Sequence, residues 1–276
     1  MKVFGTLVAG LLITGCSLGE GTGEVKSDRL FAHQCWGQID GGGNPSEETY
    51  QMQPDFFAAN AYRETLQIRV QRGNDLVEVS DGLSVLIDDV PKIRAALAVA
   101  RSLKSSDAGV EDAGVEDAGV GDAGAPDSGG PTACASAGPA SGSLGPNSDG
   151  TVTFQVALPA GVTPPGSPAI PPPDLLADPP VVHVALFLHR SCHNQNTVLY
   201  AVSGTLTFSS LFSGDPNESS AAEKLIDVTK VDIQVGDLRD VPLGAYPREI
   251  PCELQSRVQG KFKFYFDRGQ PAQPFP

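Results

Sequence analysis

The sequence predicts a mainly β protein, folded as an antiparallel β-sandwich. Apolar and polar residues alternate with a period of two in many segments, which is typical of strands with one buried face. Turn residues separate these segments at short intervals, which favours antiparallel neighbours. Only one segment has good helix propensity. About eight such strands with turns between them favour a sandwich over other β architectures.

The N-terminal half contains a predicted strand–turn–strand–strand meander. The clearest alternation spans residues 65–70, and residues 72–75 (Arg-Gly-Asn-Asp) form the turn signal. Extended structure resumes at residues 76–79, and residues 83–87 place Leu, Val and Ile on one face. We therefore expect these segments to be neighbouring, half-buried strands.

One helix and one low-complexity segment follow. Residues 92–104 are rich in Ala, Leu, Lys and Arg, and Pro91 suits a first helical turn. Residues 107–130 repeat Asp-Ala-Gly every five residues and carry seven acidic residues and no basic one. Lacking large apolar groups, this segment is predicted to be disordered. Acidic residues five apart are too sparse for a compact calcium loop, which places ligands at every second position.

The C-terminal half begins with a predicted strand at residues 151–158. Residues 159–180 hold nine prolines, which predicts a long proline-rich surface loop. The next strand, at residues 181–188, has Val and Leu at alternate positions.

Three further strands complete the predicted sheet. In the first, Gly204 is an expected bulge or close approach, and one face is predicted to hold Val198, Tyr200, Val202, Leu206 and Phe208. In the second, residues 231–235 are out of phase with Ile226 and Val228, which predicts a bulge near Thr229. In the last, the inward face is expected to carry Phe262, Phe264 and Phe266.

The domain organisation depends on how the acidic segment is used. We expect one sandwich domain over residues 28–276, interrupted by a disordered insertion at residues 105–133, because long surface insertions cost little free energy. The alternative is two β-rich domains, over residues 28–104 and 134–276. The first of these has few strands for an independent core.

Charge and cysteine content narrow the class of protein. The 276-residue chain has a formal net charge of −14 and no basic cluster, which disfavours nucleic-acid binding. Of five cysteines, the last four form an even set, which predicts two disulfides in an oxidising compartment. Their pairing is left open, and they are Cys35, Cys134, Cys192 and Cys252. The sequence contains no Cys-x-x-Cys pair, so a cysteine-based metal site is disfavoured.

The N-terminus has the features of an export signal. Lys2 precedes an apolar run, Val3–Ile13, that is too short to span a bilayer, and Ile13-Thr14-Gly15-Cys16 follows. This stretch resembles the lipobox of bacterial lipoprotein signal peptides. The resemblance implies a signal peptide at residues 1–15 and a lipid (diacylglyceryl and palmitate) on Cys16. Residues 16–27, which are rich in Gly, Ser and Thr, are expected to form a flexible tether. Ser17, in place of Asp, implies outer-membrane rather than inner-membrane attachment.

The acidic repeats and the lipobox together look like those of uncharacterised myxobacterial lipoproteins. That resemblance covers compartment and composition and implies no activity.

The sequence gives only weak signals for a catalytic or metal site. The densest polar cluster is His189-Arg190-Ser191-Cys192-His193-Asn194, with His183 on the preceding strand. If Cys192 is in a disulfide, its thiolate is unavailable to a metal or a substrate, so a polar loop at a strand end is favoured. The acidic pairs Asp88-Asp89, Glu47-Glu48 and Asp237 with Asp240 are interpreted as solvated turn residues. Trp36, beside Cys35, is expected to pack on a disulfide.

Two functions from different classes remain. The first is a non-catalytic, lipid-anchored envelope protein that binds a partner protein or glycan or has a structural role. Such a protein has no catalytic, cofactor or metal residues, and a carbohydrate-binding variant of it predicts exposed aromatics such as Tyr265, whereas Tyr200 is expected in the core. The alternative is an envelope hydrolase acting on glycan or peptide, which predicts that acids converge with His183, His189 or His193.

Overall fold

A computed structural model describes residues 21–32, 35, 47–73, 80–107, 144–159, 181–192, 197–212, 224–240 and 250–266. In chain order its strands and helix are β1 (Gly21–Phe31), β2 (Glu47–Met52), β3 (Phe56–Tyr62), β4 (Thr65–Gln71), β5 (Asp81–Ile87), α1 (Val90–Asp107), β6 (Gly145–Pro146), β7 (Val152–Gln155), β8 (Val182–Leu188), β9 (Thr197–Ser210), β10 (Leu225–Gly236) and β11 (Ser256–Tyr265). Short 3-10 turns lie at Leu238–Asp240 and Cys252–Leu254.

The prediction of a mainly β, antiparallel fold is confirmed. The described strands join one continuous sheet in the order β2-β1-β11-β10-β9-β8-β5-β4-β3, and the short pair β6–β7 attaches to β9. The sheet pairings are antiparallel throughout, with one isolated parallel bridge between Val156 and Val182. In place of the two separate sheets expected of a sandwich, a single sheet curls so that one of its faces encloses the core.

The curl brings β3, at one edge of the sheet, against β1 and β11 near the other edge. The rings of Phe57 in β3 and Phe264 in β11 are 5.4 Å apart. A Cβ atom on Gly21 would lie 2.8 Å from the Phe57 ring and 2.7 Å from the Phe264 Cβ. One on Gly23 would lie 3.0 Å from Pro54. Glycine therefore allows the two walls of the curled sheet to meet.

This contact overturns part of the predicted tether. Residues 16–27 were expected to be flexible because they are rich in Gly, Ser and Thr, but residues 21–27 belong to β1. Val25 is fully buried, and Gly21 pairs with Phe264 in the sheet. The glycines that suggest a linker in the sequence serve close packing instead.

Strands from both halves of the chain share the sheet. β5 pairs with β8 from Asp81↔Leu188 to Ile87↔Val182, and β1 pairs with β11. Residues 105–107 of the predicted insertion are the last residues of α1. The rest of that insertion, the predicted strand at residues 76–79 and the proline-rich loop beyond residue 159 lie outside the described residues.

A single large cluster of buried side chains fills the curl. The predicted inward faces of β4, β5 and β11 all contribute to it, as confirmed by Leu66, Ile68, Val70, Leu83, Val85, Ile87, Phe262 and Phe264. Phe266 is partly buried against this core and stacks on Phe212, with ring centroids 4.3 Å apart. In β10 the register shifts between Val228 and Val231, which confirms the bulge predicted near Thr229.

The predicted face of β9 is wrong in its first half. Leu199 and Ala201 are buried there, whereas Val198, Tyr200 and Val202 are half-buried. The pairing with β10 skips one residue between Ala201 and Ser203, and Gly204 has a φ of 114°. This bulge changes which face points inward, so Leu206 and Phe208 are buried as predicted.

The predicted helix is confirmed and is longer than expected. The Asp89 carboxylate caps α1 by accepting a hydrogen bond from the Lys92 N–H at 2.8 Å. The buried residues Val90, Ile93, Leu97 and Ala100 recur at helical spacing and join the same core. No helix among the described residues is long and apolar enough to cross a membrane.

Candidate functional site

The polar cluster after β8 is a turn held in place by a buried carboxylate. Asp81, at the start of β5, accepts hydrogen bonds at 2.9 Å from the backbone N–H groups of both Arg190 and Ser191. The Ser191 hydroxyl donates to the second oxygen of the same carboxylate. Three donors thus converge on one carboxylate, which fixes the turn against β5.

A disulfide also holds this turn in place. Cys35, which follows β1, is bonded to Cys192, which is buried. The Cys192 sulfur also lies 3.2 Å from the Thr197 hydroxyl at the start of β9. The Cys192 thiol is therefore not available as a nucleophile or metal ligand, and the interpretation of residues 189–192 as a strand-end turn fits their geometry. His193 and Asn194 lie outside the described residues.

The remaining cysteines are only partly described. Cys252 is disulfide-bonded. Cys16 and Cys134 lie outside the described residues, as does Trp36.

His183 and Asp88 form a pair that the sequence hypotheses had not joined. The His183 Nε2 lies 3.0 Å from the Asp88 carboxylate, and its Nδ1 lies 2.7 Å from the Ala157 carbonyl. His183 is 3% exposed, and the Asp88 side chain is 50% exposed. Both ring nitrogens lie within hydrogen-bond distance of an oxygen atom, which holds the buried ring in one orientation.

The other acidic pairs have separate structural roles. Asp89 caps α1, whereas its neighbour Asp88 binds His183. Asp237 is buried, and both of its carboxylate oxygens accept hydrogen bonds from the Arg239 guanidinium. These hydrogen bonds raise the pKa of Arg239, against the opposing effect of its burial. The side chains of Glu47 and Glu48 are outside the described set, although their backbones pair with β1.

Two strand tyrosines were considered as platforms for ligand stacking, and they differ in exposure. Tyr265 is exposed at the end of β11. Tyr200, which was expected in the core, is half-buried on the outer face of β9. Burial raises the pKa of its hydroxyl, and the nearby charge of Asp237 raises it further.

An arginine–aromatic stack on the outer face of the sheet was not predicted. The guanidinium of Arg69 lies 4.1 Å from the ring centroid of Phe187, and its Nε donates to Gln71 at 2.7 Å. Burial lowers the pKa of Arg69 to about 10. A Cβ atom on Gly82 would lie 2.2 Å from the Phe187 ring, so glycine makes room for the stack. The sequence signal that could have indicated this stack is the set of small residues that β5 and β8 place on the same face: Gly82, Ser84 and Ala185.

Within the parts of the chain that the structure describes, no three His, Cys, Asp or Glu residues are arranged to hold a metal ion. Comparison with known proteins gives no match: no family model, no curated protein and no solved structure is similar to this chain. Function therefore has to be argued from the chain's own residues.

Proposed function

We propose that this protein is a non-catalytic module of the bacterial cell envelope, anchored to the outer membrane by lipid on Cys16. The observation that carries the proposal is the short distance between the lipobox and the fold. β1 begins at Gly21, five residues after Cys16. Five residues of fully extended chain span at most about 18 Å. An acylated Cys16 therefore holds the folded module beside the bilayer.

The geometry of the polar residues supports a binding or structural role. Cys192 is in a disulfide, Ser191 donates its hydroxyl to Asp81, and both ring nitrogens of His183 are engaged. These are three of the groups from which a nucleophile or general base would be drawn. Each is committed to holding a turn or a loop. The partner that fits an envelope module of this kind is another envelope protein or a glycan.

The lipid anchor is tested by expressing the full chain with and without Cys16→Ala in a bacterium that processes lipoproteins. We expect metabolic palmitate labelling and recovery in the outer-membrane fraction for the parent chain. The variant is expected to lose both the label and the sedimentation with membranes. A parent chain without label, or a variant that stays with the outer membrane, contradicts the anchor. Intact disulfides in both proteins serve as the control for correct export.

An envelope hydrolase is the second candidate, and the contact between His183 and Asp88 is the observation that favours it. The burial of His183 and the hydrogen bond from its Nδ1 to Ala157 argue against it. His183→Gln keeps hydrogen-bonding capacity while removing a general base. If the purified parent hydrolyses envelope glycan or peptide and the variant does not, while the two have equal melting temperatures, the hydrolase is correct and the binding module is wrong.

A further inference from the structure

The end of the sheet at which β1 begins also holds the ends of several other elements. Gly21 of β1 pairs with Phe264, and Tyr265 at the end of β11 pairs with Leu225 at the start of β10. Ser210, the last residue of β9, pairs with Asp227 close to that start. We call this end of the molecule, together with the β3–β4 turn and α1, the anchor-side end.

Helix α1 runs across the anchor-side end. Its first residue, Val90, donates its N–H to the carbonyl of Glu64 in the β3–β4 turn at 2.8 Å. Further along the helix, the Arg101 guanidinium donates to the Ser209 carbonyl near the end of β9 at 3.3 Å. The side of the helix with Ile93 and Leu97 faces the core. The opposite side of the helix faces away from the protein.

Exposed apolar side chains are concentrated at this end. Among the described residues, four of the five large hydrophobic side chains that are exposed by 45 to 64% lie there: Tyr62, Val99, Leu103 and Tyr265. Val99 and Leu103 are four residues apart and share the outward side of α1. Tyr62 lies at the β3–β4 turn with the Arg63 guanidinium 5.2 Å from its ring centroid. Clustered exposed apolar groups mark contact surfaces.

The charge of α1 contrasts with that of the chain. The helix contains four basic residues, Lys92, Arg94, Arg101 and Lys104, and one acidic residue, Asp107, in a protein with a net charge of −14. Acidic groups also lie at this end, namely Glu64, Asp88, Asp89 and Asp149. Three of them are engaged locally: Asp88 contacts His183, Asp89 caps the helix, and Asp149 accepts hydrogen bonds from Thr151. Arg101 and Lys104 are exposed beside Leu103.

We infer that the anchor-side end is a membrane-contact surface, on which α1 lies flat against a bilayer that contains anionic phospholipid. A helix that exposes both apolar side chains (Val99 and Leu103) and basic side chains (Arg101 and Lys104) is suited to the headgroup region. The inference rests on the proposed lipid anchor, because the chain from Cys16 to Gly21 leads to this end and holds it near the bilayer. The opposite end, with the Cys252–Leu254 turn, then points away from the membrane.

The test uses the full lipidated chain reconstituted into vesicles of phosphatidylethanolamine and phosphatidylglycerol, with and without brominated acyl chains. A tryptophan is introduced by Leu103→Trp in one protein and by Glu253→Trp, at the exposed opposite end, in the matched control. Emission is compared with that of the parent, whose single natural tryptophan gives the background. We expect brominated lipid to quench the Leu103→Trp protein strongly and the Glu253→Trp protein no more than the parent. Replacing phosphatidylglycerol by phosphatidylcholine should reduce the quenching.

The possible outcomes separate the contact surface from the anchor. Equal quenching of the two variants in protein that floats with the vesicles overturns the contact surface and leaves the anchor intact. Failure of the parent to float overturns the anchor itself. Quenching that appears only after deletion of residues 108–130 would show that the acidic segment, and not the bilayer, covers α1 in the full chain. That result overturns the inference. Equal melting temperatures of the variants and the parent exclude misfolding as the cause.

Discussion

Ser191 is bound to Asp81 through both its backbone N–H and its hydroxyl, across 110 residues of sequence. The carboxylate of Asp81 takes a third hydrogen bond, from the Arg190 N–H, and is itself buried. This arrangement connects the first residue of β5 to the turn that follows β8, next to the bond between Cys35 and Cys192. The turn and the disulfide therefore stabilise the same corner of the sheet.

Asp81→Ala is expected to lower the free energy of unfolding by about 3 kcal/mol. The substitution removes the shared acceptor of three part-buried donors, and hydrogen bonds to a charged group contribute roughly 1.5 to 3 kcal/mol each. The measurement is urea denaturation followed by circular dichroism. Glu253→Ala, at an exposed carboxylate, is the control and should change stability by less than about 0.5 kcal/mol. A similar small effect for Asp81→Ala would show that the turn does not depend on this carboxylate.

Gly21→Ala tests whether residue 21 belongs to the sheet. A methyl group there meets Phe57, Phe264 and the Lys263 carbonyl at 2.7 to 2.9 Å, and overpacking of this kind costs roughly 1 to 3 kcal/mol. We expect a clear fall in the melting temperature. Gly19→Ala, placed in the short segment between Cys16 and β1, is the matched comparison and should be neutral. In a flexible tether both substitutions would be neutral, so equal melting temperatures would contradict the position of β1.

Disulfide mapping of the exported protein is expected to recover Cys35 joined to Cys192. Their separation of 157 residues makes the loss of this bond costly, about 4 to 5 kcal/mol in the chain-entropy description. The double substitution Cys35→Ser with Cys192→Ser should therefore lower the urea midpoint strongly. Cys252 is also disulfide-bonded, and Cys134 is the remaining cysteine of the even set. A mapped pair of Cys134 with Cys252 is the expected second bond, and a Cys35–Cys134 peptide would refute both assignments.

The acid stability of the protein should depend on Asp232. Two hydrogen bonds of 2.8 Å from the Arg257 guanidinium hold the pKa of this carboxyl below its usual range, against the burial that raises it. A carboxyl whose pKa is lower in the folded state stabilises the fold above its unfolded pKa and loses that effect as the pH falls. We therefore expect Asp232→Asn to be less stable than the parent at pH 7, with the difference shrinking from about pH 4 downward.

The measurement for Asp232 is the urea midpoint of both proteins at pH 7 and pH 3. Glu253→Gln, at an exposed carboxylate, removes one negative charge without touching Arg257 and controls for net charge. A difference between parent and Asp232→Asn that stays constant over this pH range would show that the ion pair does not contribute to acid stability.

Local patterns predicted much of the secondary structure. Leu66, Ile68 and Val70 alternate cleanly because β4 has one face toward the core, and the Phe262–Phe264 pair does the same in β11. The length of α1 extends beyond its strong helix formers, since Asp89 supplies the cap and Val90 joins the core. These features depend on neighbours in sequence, and the sequence displays them directly.

Features that depend on distant residues were missed. The continuous sheet follows from the pairing of β1 with β11 and of β5 with β8, and no local pattern specifies which strands pair. The wrong face of β9 came from a bulge at Val202, two residues before the glycine at which a bulge or close approach was expected. Arg69 lies on the face of β4 opposite its core residues, and Phe187 from β8 provides a stacking surface for it there that the pattern of β4 alone does not reveal.

The first and last described strands are direct neighbours, since Gly21 to Lys26 of β1 pair with Phe264 to Gln259 of β11. Of the described strands, a ribosome makes β1 first and β11 last, so the backbone groups of β1 on that side remain unpaired until the other described strands have been synthesised. One edge of β10 remains unpaired in the same way, because β11 lies between β1 and β10 in the sheet. A chain shortened before residue 256 would lack β11, so the edges of β1 and β10 that β11 covers would both be unpaired. Such edges promote aggregation, so holding the chain unfolded until its last strand is available protects it.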